Sequence, residues 1–308
     1  MDFVIFIISM AALIYGADFI IKESEKIALH FNISHFVIGA TLVAFGTSLP
    51  EMAASIVASF HHKSDMAVAN VIGSVTFNIT LVLGIVFLLS KKLMPKRELF
   101  SLDSAWIVIP VVIFFLMIQD GEIGRFDGIL FLTLMTSYII FLFTSAKDVL
   151  TEEVGELEDN GSFAWLPTIG LLIIGFTLTV GGANYAVESG SAIARGFGVS
   201  EWIIGLFLLA FGTSLPELVV SVVAAKKGNA EMSIGNIIGS NVANFSMVLG
   251  SAALVHPLSI DLDASKFDLF IMTSASIALL FILANKLYNK AGAIFLLIIF
   301  ALFVQNAL

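Results

Sequence analysis

The sequence has no cysteine and few charged residues, since only 13% of its 308 residues are Asp, Glu, Lys or Arg. The absence of cysteine excludes disulfides and thiolate metal sites. Basic residues are too sparse for the dense patch that binds a polyanion, so no nucleic-acid partner is predicted. The five histidines lie at the ends of apolar segments or between them, which argues against a histidine metal centre inside a segment.

Apolar residues dominate instead: 58% are hydrophobic and the mean hydropathy is +1.02. Apolar runs near the ~20 residues needed to cross a ~30 Å hydrocarbon core recur along the whole chain. The first run begins with an acid where a secretory signal carries basic residues, so we expect it to be retained as a helix. The composition predicts an all-α polytopic membrane protein with ten transmembrane helices, near residues 3–21, 36–60, 66–90, 104–118, 127–145, 166–187, 202–225, 231–256, 267–285 and 291–306.

Lys and Arg are unequally divided between alternate loops, with 11 on one side and 4 on the other. The positive-inside rule places the richer side in the cytoplasm. With ten crossings, both termini then lie outside the cell. The acidic stretch at 146–165 faces the cytoplasm, and we expect it to be a solvated linker.

The two halves of the sequence are related by a constant offset of 166 residues. The stretch GATLVAFGTSLPE from Gly39 matches GLFLLAFGTSLPE at ten of 13 positions, and NVIGSVTFNITLVLG from Asn70 matches NIIGSNVANFSMVLG at eight of 15. We therefore predict a duplicated five-helix unit, residues 1–145 and 166–308, joined by the linker at 146–165. Because five is odd, the second copy is inverted in the membrane, which is typical of transporters with a midplane site.

Each repeat carries a proline directly followed by a glutamate, Glu51 or Glu217, inside an apolar segment. Proline lacks an N–H and crowds the carbonyl four residues earlier, so both helices should break near 46–49 and 212–215. Broken backbone inside a bilayer is tolerated where it lines a cavity, and its freed carbonyls are oxygen ligands for a cation. The hydroxyls beside the breaks belong to Thr47, Ser48, Thr213 and Ser214.

The two glutamates need a counter-charge, because a carboxylate at the bilayer centre costs roughly 2.5 to 3.5 kcal/mol on insertion scales. Neither segment that carries them contains Lys or Arg. For one isolated glutamate, protonation or a hydrogen bond to a neighbouring helix would be an equally good explanation. Duplication in antiparallel copies favours a mobile cation as the partner.

The second repeated motif offers a hydroxyl and an amide at i and i+4, as Ser74 with Asn78 and Ser240 with Asn244. This spacing puts both groups on one helix face. Such pairs also serve as packing contacts between membrane helices, and their duplication beside the glutamates favours ligation. Every candidate ligand is an oxygen, which suits hard cations such as Ca²⁺ or Na⁺.

The duplicated GTSLPE and the paired GSVTFN and GSNVAN stretches resemble the alpha-repeats of the cation/calcium exchanger superfamily, and the whole chain is most similar to prokaryotic sodium/calcium antiporters. The resemblance implies an antiporter of the prokaryotic inner membrane that exchanges Na⁺ for Ca²⁺ without a cofactor or protein partner. It implies that the first and sixth helices slide to alternate access. It also implies a site of Glu51 and Glu217 surrounded by Thr47, Ser48, Ser74, Asn78, Thr213, Ser214, Ser240, Asn244 and the backbone carbonyls of Ala44 and Ala210.

Two positions depart from the pattern. Ala69 stands where the second repeat has Gly235, and Asn244 stands where potassium-dependent exchangers and some archaeal members carry aspartate. Asparagine argues against potassium dependence and leaves a site of charge −2. One Ca²⁺ brings this charge to zero and three Na⁺ bring it to +1, so only loaded carriers should cross readily and exchange should be electrogenic.

Other functions fit the sequence less well than exchange of Na⁺ for Ca²⁺ does. Two protons would also neutralise Glu51 and Glu217, so H⁺/Ca²⁺ antiport on the same scaffold is the alternative. A cation channel would need a pore open to both sides, which two broken helices closing on one site do not favour. An enzyme would need a nucleophile with a base or a protease signature, and neither accompanies the glutamates.

Overall fold

The computed structural model describes residues 1–89, 95, 97–153, 163–197 and 212–307, with the backbone alone at 146–153. This part of the chain is nearly all helical. A two-residue antiparallel ribbon, β1 (Glu122–Ile123) with β2 (Leu258–Ser259), joins two loops. The helices are α1 (Asp2–Phe31), α2 (His35–Thr47), α3 (Leu49–Phe60), α4 (Ser64–Leu89), α5 (Leu99–Asp120), α6 (Arg125–Glu153), α7 (Trp165–Gly196), α8 (Leu215–Lys226), α9 (Ala230–Val255), α10 (Leu262–Ala284) and α11 (Lys290–Ala307).

Seven of the described helices are long and apolar enough to cross a membrane, and the bent pair α2 and α3 would make an eighth. They are α1, α4, α5, α6, α7, α9 and α10, and α11 is a shorter apolar helix. The predicted span 202–225 begins outside the described residues, and so do residues 154–162 of the predicted linker at 146–165. The lengths and compositions are those of an integral membrane protein, and the count of ten crossings stays a prediction.

The fourth span is predicted at 104–118, whereas α5 extends over Leu99–Asp120 and continues through Pro110. The proline therefore does not end this helix. Pro within a membrane helix is tolerated because neighbouring helices and local adjustments satisfy the backbone group that it frees. The helices α1, α6 and α7 also continue past their predicted ends at 21, 145 and 187.

Helices α4 and α9 lie at the centre of the fold. In each, 83% of the most apolar stretch is buried, against 33% in α1, α6 and α7. The backbones of α2 and α9 approach so closely that a Cβ at Gly39 or Gly239 would overlap the backbone of Met232 or Ala40. The small residues of both motifs thus bring the broken helix against the centre of the fold. Ala69, the counterpart of the tightly packed Gly235, is exposed.

The helix that carries the first GTSLPE stretch is broken where the proline predicts. Ser48 separates α2 from α3 with φ −84° and ψ 3°, Pro50 lies in the first turn of α3, and the two axes differ by 43°. Proline is compatible with a first turn because N–H groups there have no helical acceptor. The helix α8 begins in the same way, with Ser214 before it and Pro216 in its first turn.

Helices α4 and α9 each contain a π-helical segment, at Asn78–Val82 and Asn244–Leu249. Each segment begins at the asparagine that the second motif predicts as a ligand. Such widened turns occur frequently at functional sites. The starts of α3 and α8, of α4 and α9, and of the two π segments are all separated by the offset of 166 residues.

Contacts between α1 and α7 follow the same offset. Gly16 of α1 lies against Thr179 of α7, and Gly182 of α7 lies against Leu13 of α1, in both cases without room for a Cβ. Because 16 corresponds to 182 and 13 to 179, the two contacts are equivalent. A reciprocal pair of this kind is what a two-fold relation between two copies produces.

The side chain of Arg97, in the loop before α5, is buried. The Arg97 guanidinium pairs with Asp103 at 2.7 Å (Nε to Oδ2) and 2.9 Å (Nη2 to Oδ1), and it lies 4.6 Å from the centre of the Phe36 ring. The backbone N–H of Arg97 donates to Glu231 Oε1 at 3.0 Å. The segment before α5 is thereby attached to the starts of α2 and α9.

Candidate functional site

The two GTSLPE stretches meet, and their hydrogen bonds cross from one repeat to the other. Ser48 Oγ donates to Glu217 Oε1 at 3.2 Å, and Ser214 Oγ donates to Glu51 Oε1 at 3.4 Å. Both glutamates are fully buried. The structure therefore brings the two predicted central residues into one site.

Asn70 and Asn236 lie in the same site although they are absent from the predicted ligand set. Thr47 Oγ1 donates to Asn236 Oδ1 at 3.3 Å, and Thr213 Oγ1 donates to Asn70 Oδ1 at 3.4 Å. The amide nitrogen of each asparagine donates at 3.0 Å to a serine of its own repeat. Both asparagines begin the second repeated motif, so the duplication was the signal that could have identified them.

The hydroxyl and amide groups of the second motif are also buried here. Asn78 Nδ2 donates to Asn241 Oδ1 at 3.1 Å, which leaves Asn78 Oδ1 without a partner. Neither amide atom of Asn244 has a hydrogen-bond partner, and the hydroxyls of Ser74 and Ser240 have none either.

Six buried oxygens of this site thus lack a hydrogen-bond partner within the described structure. An unpaired buried polar atom costs about 1–3 kcal/mol, and the great majority of buried polar atoms are paired. Each repeat contributes three of the six, at equivalent positions, which is the pattern expected of groups that coordinate a cation. They belong to Glu51, Glu217, Ser74, Ser240, Asn78 and Asn244.

The negative charge of the site comes from its two carboxylates. Among the residues that the structure describes, no Lys or Arg pairs with Glu51 or Glu217. No group of three or more His, Cys, Asp or Glu suited to a metal ion occurs in the described ranges. The remaining ligands would be neutral hydroxyl and amide oxygens, a donor set that suits hard cations.

The family resemblance also implies two backbone carbonyl ligands, of Ala44 and Ala210. The Ala44 carbonyl accepts the Ser48 N–H at 3.0 Å and the Thr47 hydroxyl at 3.2 Å, so coordination would require it to give up one of these bonds. Ala210 lies outside the described residues. Of the other predicted ligands, Thr213 is half-buried and the rest are buried.

Several known proteins are similar to this chain in sequence and fold. An uncharacterized membrane protein of Methanocaldococcus jannaschii is 37% identical over 292 residues, which are 94% of this chain and 93% of the relative. Sodium/calcium exchanger MaX1 of Methanosarcina acetivorans is 33% identical over 322 residues, covering 92% and 90%. A solved structure of the sodium-calcium exchanger NCX_Mj superposes with a TM-score of 0.81 at 32% identity, covering 99% of this chain and 97% of the other.

The family described as sodium/calcium exchanger protein matches residues 1–144 and 167–308, which are nearly the whole chain. Its members are membrane transporters and not enzymes. Because this match and the two relatives each cover more than nine-tenths of the sequence, the chain belongs to the sodium/calcium exchanger family.

Proposed function

We propose that the protein is a secondary active antiporter that exchanges Na⁺ for Ca²⁺ by alternating access. The observation that carries the proposal is the pair of fully buried glutamates, one from each repeat, that have no basic partner in the described part of the chain. Each glutamate has one unpaired oxygen, and the second motif adds four more, on Ser74, Asn78, Ser240 and Asn244. The relatives named as sodium/calcium exchangers support the choice of ions.

The charge of the site determines which states can cross the membrane. An empty site carries −2, and moving this charge through a low-dielectric barrier is costly. One Ca²⁺ neutralises it, and three Na⁺ leave +1. Movement is therefore restricted to loaded carriers, which couples the two ions, and a three-for-one exchange transfers net charge.

We assign as ligands the twelve residues that the two motifs and the resemblance predict, with Glu51 and Glu217 at the centre. Asn244 supplies a neutral oxygen in place of a third carboxylate, so transport is expected to be independent of K⁺. The assigned set also contains Thr47, Ser48, Ser74, Asn78, Thr213, Ser214, Ser240 and the backbone carbonyls of Ala44 and Ala210.

Two inverted five-helix repeats with ten crossings would explain the reciprocal contacts. The offset of 166 converts the Thr47–Asn236 hydrogen bond into the Thr213–Asn70 hydrogen bond, as a two-fold relation requires. Two matched blocks, separated at the proposed linker, also support domains at 1–145 and 166–308. In this arrangement α1 and α7, which pack mainly on each other, slide past the core to expose the site alternately.

We place the protein in the inner membrane of a prokaryote with both termini outside, and contacts between loops support the division of the loops into two sides. Lys286 Nζ lies 2.8 Å from Glu98 Oε1, and both belong to loops placed in the cytoplasm. The strands β1 and β2 pair between loops placed outside. Loops assigned to one side by charge counting thus contact each other.

Flux into proteoliposomes tests the proposal. Purified protein is reconstituted, and Ca²⁺ uptake is followed under an outward Na⁺ gradient, then under an outward H⁺ gradient without Na⁺, each with and without K⁺. We expect uptake that requires the Na⁺ gradient, does not change with K⁺ and responds to an imposed voltage. Uptake driven by protons and indifferent to Na⁺ would establish the H⁺/Ca²⁺ alternative, and passive equilibration without a gradient would indicate a channel.

A further inference from the structure

The two repeats hold their paired asparagines differently. Asn78 and Asn244 are equivalent under the offset of 166 residues, and both are fully buried at the start of a π-helical segment. Asn78 donates its amide nitrogen to Asn241 in the other repeat at 3.1 Å. The residue equivalent to Asn241 is Val75, which has no polar side-chain atom, and neither amide atom of Asn244 is hydrogen-bonded.

We propose that Asn241 is a positioning residue that directs the Asn78 oxygen toward the cation, and that Val75 leaves Asn244 without an equivalent partner. The two repeats would then supply unequal ligands to one site. This inference rests on the proposed function, because it assumes that the cage between the two glutamates binds the transported cation.

The hydrogen bond decides which end of the Asn78 amide faces the cage. With Nδ2 engaged by Asn241, the acceptor Oδ1 is the atom left unpaired, and an oxygen is what a cation requires. Asn241 Oδ1 accepts this bond, so the positioning role requires no contact between Asn241 and the cation. The Asn241 side chain also lines a small cavity with Pro110 and Ser276.

Asn244 lacks this preorganisation. Both ends of its amide are buried and unpaired, so neither orientation is selected by a protein partner. A cation that uses the Asn244 oxygen must therefore fix the amide as it binds, and ordering a side chain on binding reduces affinity. The first repeat provides an amide oxygen that is already aligned, whereas the second provides one that the ion itself must align.

Calcium binding to the purified protein in detergent tests the role of Asn241, by isothermal titration without Na⁺. We expect Asn241→Leu to weaken binding about tenfold, which at about 1.4 kcal/mol per factor of ten is the worth of one buried hydrogen bond. Asn241→Asp keeps an oxygen that accepts from Asn78, so it should bind Ca²⁺ at least as tightly as the wild type. Unchanged affinity in the leucine variant, or an equal loss in the aspartate variant, would overturn the proposal.

The reciprocal change is made at Val75. Val75→Asn should give the Asn244 amide a partner and tighten Ca²⁺ binding about threefold, whereas Val75→Leu, which adds volume without a polar group, should not. Binding by the asparagine variant that is no tighter than binding by the leucine variant would also contradict the proposal. This pair keeps the inference testable even where substitution of Asn241 impairs folding.

Binding and transport are scored separately, so that the two proposals fail in different ways. If the wild type binds Ca²⁺ but does not exchange it for Na⁺ in proteoliposomes, the proposed function fails while the affinities still decide the role of Asn241. If the wild type exchanges normally and the variants show no change in affinity, only the positioning role fails.

Discussion

Replacing either buried glutamate by glutamine should abolish tight Ca²⁺ binding while leaving the fold intact. Two unit charges ~4 Å apart interact by about 4 kcal/mol at an effective dielectric constant of ~20. A divalent ion therefore loses about 8 kcal/mol of electrostatic attraction when one carboxylate is replaced by a neutral group. The glutamine oxygen replaces part of this interaction. If it replaces half, the net loss is about 4 kcal/mol, or about three powers of ten in Kd. Glu51 and Glu217 are equivalent and equally buried, so both variants should lose similar affinity.

The measurement is titration of Ca²⁺ into purified Glu51→Gln and Glu217→Gln, followed by Ca²⁺ flux in proteoliposomes. Thermal unfolding without ions should show equal or higher stability, because a buried charge without a basic partner has been removed. Glu122→Gln is the matched control, since this glutamate is exposed in β1. A loss of affinity below tenfold in either site variant would show that its carboxylate is not a central ligand.

Three further substitutions test other parts of the structure. Asn244→Asp raises the formal site charge to −3 and should tighten Ca²⁺ binding and change the cation dependence of flux; an unchanged ion profile would place this residue outside the site. Gly239→Ala places a methyl group against the backbone of α2 and should lower the free energy of unfolding by about 1–3 kcal/mol, measured by thermal unfolding. Gly170→Ala is the control and should not destabilise the protein, because no atom lies within 4 Å of a Cβ at that position. Asp103→Ala leaves the Arg97 charge buried without its partner and should cost about 3–5 kcal/mol; a double substitution of both by Leu should recover most of it, and failure to do so would show that packing dominates.

The positions of the helices and of the break could be predicted because both depend on local chemistry. Length and hydropathy locate a membrane helix, and the missing N–H of Pro50 locates the break at Ser48. The extent of α5 was underestimated because tolerance of Pro110 depends on neighbouring helices, which local sequence does not specify. The π-helical segments have no equivalent local signal, since the sequences at Asn78 and Asn244 continue as ordinary apolar helices.

Contacts within the site were harder to predict than its composition. The offset shows which residues are equivalent but not which residues are in contact. The hydrogen bond from Ser48 to Glu217 therefore could not be predicted without the structure. Asn70 bonds a threonine that is 143 positions away in the sequence, and spacing within one motif carries no information about such a partner. Arg97 illustrates the same limit, because counting charges treats it as a loop cation whereas the structure buries it against Asp103.

The unpaired oxygens connect the stability of the protein to its transported ion. A core that had only to be stable would contain apolar side chains here or would pair each polar group, because every unpaired buried polar group costs about 1–3 kcal/mol of stability. Here the repeat places such groups at equivalent positions twice, and under the proposed function the ion that pairs with them is released on each cycle. An ion present at 100 times its Kd stabilises the folded protein by about 2.7 kcal/mol, which offsets the cost of only a few of these unpaired groups. In the proposed cycle, relief of this cost adds to the free energy of binding, and the change of conformation that releases the ion must overcome it.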